Sequence, residues 1–254
     1  MNISFTQLNT FFSSFITEHC LHTFSELDSN VIVMQCKFNT DFFSDMYYNY
    51  LPFNEPLSIK NAVVKRRSEF LAGRIVAMSA LENMGIVDRN VLIGDNRMPI
   101  FPADCVGSIT HSSEKVIAIV SKKNHTQFVG IDCERKMSET FARNIATEIL
   151  LDNELLIFNT LKLSFSMYCT IVFSVKESLF KALYPLVGIY FDFKDTELVE
   201  INPEITSFKI KVIRPLGNTY NIEGREFCGR IEICSDYITT IILSLCDGMG
   251  SSVG

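Results

Sequence analysis

The amino-acid sequence predicts an α+β protein made of two comparable halves. Two observations predict this class. Strand and helix patterns follow in the order strand, long helix, strands, helices, strands, and 254 residues suffice for two small domains. No flexible linker rich in Gly, Ser or Pro separates the halves, so we expect them to pack tightly. We place the boundary between residues 129 and 130, which gives halves 1–129 and 130–254.

The N-terminal half carries a strand pattern, a long helix pattern and a run of strands. Residues 31–38 form an apolar, β-branched run that is typical of a strand. Residues 58–84 repeat apolar side chains at helical spacing and end at Gly85, a common helix terminator. Segments 41–56 and 94–106 each contain two prolines, which predicts that both are loops. The predicted strands that follow are 107–111, 116–121 and 128–134.

The C-terminal half begins with helices and ends with strands. Its predicted helices are 142–150, 153–161 and 166–184. Pro185 should stop the last helix, because proline cannot donate the next backbone hydrogen bond. Apolar and polar residues then alternate, which indicates a mostly antiparallel sheet. Its clearest strands are 208–213, 227–234 and 239–246.

Composition and charge exclude several classes of protein. A formal net charge of −6 lacks the basic footprint of nucleic-acid binding, so an anionic ligand must meet locally placed cations. The first basic residue is Lys37, and no run of about 18 apolar residues occurs, so we expect neither a secretory signal nor a membrane-spanning helix. The eight Cys contain no C-x-x-C pair, which argues against zinc and favours a reducing cytoplasm.

The first candidate site is the stretch VGIDCE at 129–134. Alternation on a strand puts Gly130, Asp132 and Glu134 on one face, where the two carboxylates repel each other. A shared Mg²⁺ would relieve that repulsion, and Gly130 would leave room for a bulky ligand. The structural alternative is a solvent-facing strand with Glu134 near Arg135.

The second candidate is FSVKESLFK at 173–181, in a predicted helix. Glu177 and Lys181 are four residues apart and therefore share a helix face. Glu177 would then be a third metal ligand and Lys181 a phosphate contact. The alternative is an ordinary surface ion pair, which contributes little to stability.

Two arginines and a histidine supply further candidates. In KRRSEFLAGR, Arg67 and Arg74 are seven residues apart on one predicted helix face, and the planar guanidinium suits phosphate. Gly73 beside them indicates close packing or the approach of a ligand. His111 ends a short strand, where it would donate to a phosphate oxygen. A solvated basic face and a structural histidine are the respective alternatives.

The order and spacing of these fragments carry more information than any one of them. KRRSEFLAGR, IGDNRMPIFP, GSITHSS, VGIDCER and FSVKESLFKALYP, within residues 65–193, together resemble the 4′-phosphopantetheinyl transferases of the surfactin-synthetase-activating superfamily, enterobactin-synthase component D type. Such enzymes move the phosphopantetheine arm of coenzyme A to a serine of a carrier-protein domain. The defining motifs of the family, G-x-D-x-E and K-E-x-x-x-K, are both present.

The resemblance implies a fold and a set of roles. The fold would be a pseudo-dimer of two similar α/β halves, each a small, mostly antiparallel sheet packed with a long helix. The active site would lie in the cleft between them, with the 3′-phosphate of coenzyme A on the N-terminal half and Mg²⁺ and pyrophosphate on the C-terminal half. The implied metal ligands are Asp132, Glu134 and Glu177. The implied catalytic residues are Glu177, Lys181 and Glu154, a second candidate base. The implied coenzyme A contacts are Arg67, Arg74, His111, Ser112, Lys176 and Lys181.

The same resemblance implies partners and leaves alternatives open. We expect a monomeric, cytoplasmic protein that modifies carrier domains of non-ribosomal peptide synthetases in the assembly of an enterobactin-like siderophore. It would be peripheral, through its partners, to any membrane-associated synthetase complex. The alternatives are a Mg²⁺-dependent phosphohydrolase with the same acids, and a non-catalytic carrier-binding subunit that has kept the fold.

Overall fold

The structure is a computed structural model and describes residues 11–22, 24, 27–216 and 222–245. The chain divides into two compact units, Met1–His125 and Thr126–Gly254. Each unit combines helices with an antiparallel sheet, which confirms the α+β class. Among the described residues, no helix is long and apolar enough to cross a membrane.

The described part of the first unit is built around a four-stranded sheet and a long helix. Its sheet strands are β1 (Ile16–Leu21), β2 (Val31–Phe38), β5 (Cys105–Ser112) and β6 (Lys115–Lys122), and its helices are α1 (Leu57–Lys60) and α2 (Val64–Asn83). Short pieces complete it: β3 (Leu92–Ile93), β4 (Pro99–Ile100) and 3₁₀ turns at Thr40–Phe42, Asp45–Tyr50 and Asp95–Arg97. The sheet order is β1-β2-β6-β5, and all pairs are antiparallel.

The long helix predicted over 58–84 is split in two. Asn61 closes α1, and Val63 has an extended backbone with φ −63° and ψ 152°, so α2 begins at Val64. A Cβ at Gly73 would stand 3.2 Å from Cγ2 of Ile109. The glycine therefore reflects close packing of α2 on β5. β1 had no counterpart in the sequence patterns.

The second unit has a larger sheet. Its elements are β7 (Thr126–Arg135), α3 (Glu139–Ile149), α4 (Asp152–Phe158), α5 (Phe165–Val187), a 3₁₀ turn (Phe193–Asp195), β8 (Thr196–Ile201), β9 (Ser207–Val212), β10 (Glu226–Cys234) and β11 (Tyr237–Leu245). The sheet order is β7-β11-β10-β9-β8, antiparallel throughout. The whole of β7 belongs to this sheet, so the unit begins at Thr126. Residue 246, predicted to end the last strand, lies outside the described residues.

The helix α5 is the centre of the second unit. Its side chains Val172, Val175, Leu179 and Leu183 are buried in one apolar core that also contains residues of β8 to β11. The prediction that Pro185 stops this helix is wrong. Because Pro185 lies in the last turn, the missing N–H removes a single backbone bond, and the helix ends at Gly188 in the left-handed conformation with φ 65°.

Candidate active site

The acids of β7 meet the basic side of α5. Nζ of Lys181 donates a hydrogen bond to Oδ1 of Asp132 over 2.6 Å. Asp132 is 1% exposed, whereas the Lys181 side chain is 27% exposed. The pair therefore lies at the rim of the core, with the carboxylate inside and the ammonium partly in solvent.

Gly130 sets the distance between strand and helix. A Cβ at this position would overlap the carbonyl oxygen of Ser178 and would lie 2.6 Å from the backbone nitrogen of Ala182. Both are backbone atoms of α5, so a side chain could be accommodated only by moving the helix. The expectation that Gly130 leaves room for a ligand is wrong, because the helix itself fills that space.

Small side chains on α5 continue this close approach. Ser174, Ser178 and Ala182 recur at four-residue intervals, which places them on one face of the helix. The hydroxyls of Ser174 and Thr240 lie 2.9 Å apart, and Oγ1 of Thr240 also donates to the carbonyl of Ser174 over 2.8 Å. Thr240 of β11 is paired in the sheet with Asp132, so these bonds fix the helix directly over the acidic strand.

Three acidic side chains, Asp132, Glu134 and Glu177, interact electrostatically with Lys181. Burial raises the pKa of Glu134 to about 8, and repulsion from Asp132 and Glu177 outweighs attraction by Lys181. Burial likewise raises the pKa of Glu177, with Lys181 opposing and Asp132 adding to the shift. Burial alone would lower the pKa of Lys181, but attraction by the three acids leaves it raised. The cluster thus brings three acidic groups to one ammonium, and the raised pKa values show that ionising all three without a further cation is unfavourable.

The cluster has the carboxylate ligands that a hard cation needs, but its side chains are not arranged around a common metal position. Across the described ranges, no group of three or more His, Cys, Asp or Glu side chains has the geometry to hold a metal ion. Carboxylate oxygens are the ligands that Mg²⁺ prefers, and added positive charge would favour the ionised form of Glu134 and Glu177. Asp132, Glu134 and Glu177 are the residues that could hold it.

Lys176 and Glu154 do not join this cluster. Nζ of Lys176 lies 2.9 Å from each carboxylate oxygen of Glu154, and the two side chains are 1% and 0% exposed. Burial lowers the pKa of Lys176 despite attraction by Glu154. The carboxylate of Glu154 has no path to a hydroxyl in solvent, so the geometry favours Glu177 over Glu154 as the candidate base.

His111 of the first unit lies beside Arg66, an arginine that the sequence patterns did not select. Nη1 of Arg66 is 3.0 Å from Nε2 of His111, and Glu69 lies close to both, at 3.5 Å from Nη1 of Arg66 and 3.8 Å from Nε2 of His111. An arginine can only donate, so Nε2 of His111 is the acceptor in this contact. The sequence shows three adjacent cations, Lys65, Arg66 and Arg67, and it does not show which of them lies next to His111. Ser112 follows His111 in β5, so their side chains point to opposite faces of the sheet.

Arg67 and Arg74 bind protein groups in the structure. Arg67 donates from Nε and Nη2 to the carboxylate of Glu55, both at 2.7 Å, and from Nη2 to Asp45. Arg74 is buried and donates to the carbonyls of Val91 at 2.8 Å and Leu92 at 3.1 Å. Both arginines thus hold flanking segments against α2.

Sequence comparison identifies the family. The family model described as the 4′-phosphopantetheinyl transferase N-terminal domain matches residues 54–121, and that of the 4′-phosphopantetheinyl transferase superfamily matches residues 128–241. Together the two models cover well over half of the chain. This chain belongs to the 4′-phosphopantetheinyl transferase superfamily. The first match includes the α2 arginines and His111, and the second includes the three acids and Lys181.

Individual members of the superfamily match over part of their length. Enterobactin synthase component D of Salmonella typhi is 39% identical over 134 residues, covering 52% of this chain and 54% of that protein. Its namesake in Escherichia coli (strain K12) is 39% identical over 124 residues, 49% of this chain and 58% of that protein. The 4′-phosphopantetheinyl transferase PptT of Mycobacterium tuberculosis is 31% identical over 148 residues, 58% of this chain and 64% of that protein. The matched region thus spans little more than half the length of most of these relatives.

Proposed function

We propose that the protein transfers the 4′-phosphopantetheine group of coenzyme A to a serine of a carrier-protein domain. The observation that carries the proposal is the cluster of Asp132, Glu134 and Glu177 around Lys181. Membership of the superfamily supports it, because both family motifs contribute to that cluster.

Charge explains why such a cluster suits coenzyme A and a cation together. The three acids would hold Mg²⁺, and when bound the ion supplies positive charge to the pyrophosphate oxygens. Lys181 adds a second positive charge and keeps a donor near the leaving group. The charge developing on the pyrophosphate would thereby be stabilised beside partly buried side chains.

The reaction moves one phosphoryl group between two oxygens. The serine Oγ of the carrier forms a bond to the β-phosphorus of coenzyme A, and the bond from that phosphorus to the bridging oxygen breaks. Adenosine 3′,5′-bisphosphate leaves. Glu177 takes the hydroxyl proton, since its side chain is only partly buried whereas that of Glu154 is fully buried.

Cations of the first unit would hold the far end of coenzyme A. Arg66 and His111, 3.0 Å apart, offer a guanidinium and an imidazole to a phosphate. Ser112 remains a proposed contact at the end of β5. Arg67 and Arg74 would contribute long-range positive charge, since carboxylate and carbonyl oxygens already occupy the donors described above. Mg²⁺, monomeric state and cytoplasmic location are likewise parts of this proposal.

The carriers that we propose are domains of non-ribosomal peptide synthetases in siderophore assembly. Two relatives that support this carry the name enterobactin synthase component D. An apolar surface of the carrier would dock beside the cluster, and the serine would then reach Glu177.

The deciding experiment offers apo carrier domains to the protein with coenzyme A and Mg²⁺. Intact-mass spectrometry should show that the carrier gains one phosphopantetheine arm. A matched control is Glu200→Gln, which removes an acid from an exposed pair with Lys209 and should leave the transfer unchanged. Phosphate release from nucleotides with no gain of mass on any carrier would instead favour a phosphohydrolase. Tight carrier binding without any transfer would favour a non-catalytic subunit.

A further inference from the structure

The buried pair of Lys176 and Glu154 ties several backbone segments to α5. Nζ of Lys176 donates to the carbonyl of Ile149 at 2.8 Å, to the carbonyl of Phe193 at 3.0 Å, and to Glu154. An ammonium has three N–H groups, so these partners use all of them. No donor remains for a phosphate.

Glu154 is equally saturated. One of its oxygens accepts from the backbone N–H of Leu151 at 2.7 Å, at the start of α4. The other accepts from the N–H of Leu198 at 2.7 Å, in β8. With Lys176 included, each carboxylate oxygen has a partner and the side chain is fully buried. Removing the carboxylate would leave an ammonium and two amides unsatisfied in the core.

These bonds fix one wall of a cavity that also contains Glu177. The cavity, of about 70 Å³, is lined by α5 and by the segment that leads into β8. Glu177 and Phe180 line it from α5, and Tyr190, Phe191 and Phe193 line it from that segment. The ring centroid of Phe180 lies 5.3 Å from that of Tyr190 and 5.1 Å from that of Phe191. The segment that leads into β8 therefore packs on the helix turn that follows Glu177.

We propose that Lys176 and Glu154 are positioning residues, which clamp segment 190–196 against α5 and so hold the cavity beside Glu177 in shape. The clamp is Lys176, Glu154 and the backbone groups they bind. This inference rests on the proposed function in one respect, that Glu177 belongs to the site. The clamp takes no part in proton or phosphoryl transfer, because its donors and acceptors are used up and its two side chains are only 1% and 0% exposed.

The first test measures backbone hydrogen exchange in the variant Lys176→Met. Losing the bond to Phe193 should speed exchange of the amides in 190–196 by at least tenfold, while amides of β2, in the first unit, stay within threefold of wild type. Transfer, as kcat/KM, should fall together with that loosening. The matched control is Lys209→Met, which breaks an exposed pair with Glu200 and should change neither reading.

Two results would overturn the proposal. One is a hundredfold loss of transfer with wild-type exchange in 190–196, since that would make Lys176 a direct chemical contact. The other is wild-type exchange and wild-type transfer together, which would leave the clamp without a role. The exchange reading needs no coenzyme A, so it stands even if the wild-type protein transfers nothing and the proposed function fails.

A second measurement uses the wild-type protein and decides the question if the variant does not fold. The amides of Leu151 and Leu198 both donate to Glu154, so their exchange reports whether the clamp is closed. With coenzyme A and Mg²⁺ added, their protection should stay the same or increase. A tenfold or greater drop in protection would mean that Glu154 or Lys176 leaves the clamp to act on the substrate, and would contradict the proposal.

Discussion

Two lysines of α5, five residues apart, each meet a buried carboxylate, and their surroundings differ. Lys176 and Glu154 are 1% and 0% exposed, and every polar atom of the pair has a partner. Lys181 is 27% exposed, and Asp132 is one of three acids around it. The first pair is electrically balanced and closed, whereas the second is unbalanced and open to solvent.

The difference shows what separates a structural ion pair from a binding site on the same helix. A buried pair whose hydrogen bonds are all satisfied has nothing left to offer a ligand. A pair with two further acids beside it can still be stabilised by a cation, which would favour their ionised forms, and its position at the rim lets the cation enter. Burial alone therefore does not identify the site, but charge balance and saturation do.

The largest effect should follow from unbalancing the Lys181 cluster. Asp132→Asn keeps the shape of the side chain and removes one negative charge, so transfer should fall by roughly 10²–10³-fold, as for other removed electrostatic contacts in active sites. The far-ultraviolet circular dichroism should stay that of the wild type. Steady-state transfer to a carrier domain measures the loss. A variant with wild-type kcat/KM would remove Asp132 from the site.

Exchanging the two lysines for methionine should separate stability from activity. Lys176→Met leaves Glu154 buried without a counter-charge and should cost about 3–5 kcal/mol of unfolding free energy. Lys181→Met should cost less stability, because its surroundings are partly solvated, yet it should lose more transfer activity. Urea unfolding and transfer rates of both variants give the comparison. Equal stability losses in the two variants would erase the distinction drawn above.

Moving the strand away from the helix should produce an intermediate effect. Gly130→Ala forces a Cβ into the backbone of α5, so we expect a loss of about 1–3 kcal/mol from overpacking. Transfer should drop as well, since Asp132 and Lys181 would separate. The control is Gly73→Ala in α2, where the added Cβ meets only one methyl group, Cγ2 of Ile109, at 3.2 Å. If the two variants were equally stable and active, the close approach at Gly130 would have no function.

The smallest effect concerns pH and follows from Glu134. Its pKa is about 8 in the fold, above the ordinary value near 4.5, so the folded state holds a proton that the unfolded state has released. Stability from this group is complete below about pH 4.5 and is lost as pH rises toward 8. The thermal midpoint in EDTA should thus fall between pH 5 and 8, by a few degrees.

Mg²⁺ should reduce that fall, because a cation favours the ionised carboxylate and releases its proton. Glu134→Gln should flatten the profile in EDTA as well. A midpoint that rises over this pH range in EDTA would contradict the direction of the Glu134 shift.

Much of the acidic cluster could be predicted from local pattern. Strand alternation placed Asp132 and Glu134 on one face, and helical spacing placed Glu177 and Lys181 on another. The roles of Glu154 and Lys176 could not be predicted, because they depend on each other and on backbone groups brought in from distant segments. Arg66 was missed for a similar reason, since only the fold shows which of three adjacent cations lies next to His111.

The order of strands in the second sheet has a consequence for how the protein is made. Among the described strands, β11 is the neighbour to which β7 is hydrogen-bonded, although about a hundred residues separate them in the chain. A ribosome must therefore synthesise almost everything up to Tyr237–Leu245 before the acidic strand can be anchored. Chains that stop short of this segment would lack the strand that holds β7, and with it Asp132 and Glu134, in the sheet, however well their helices form.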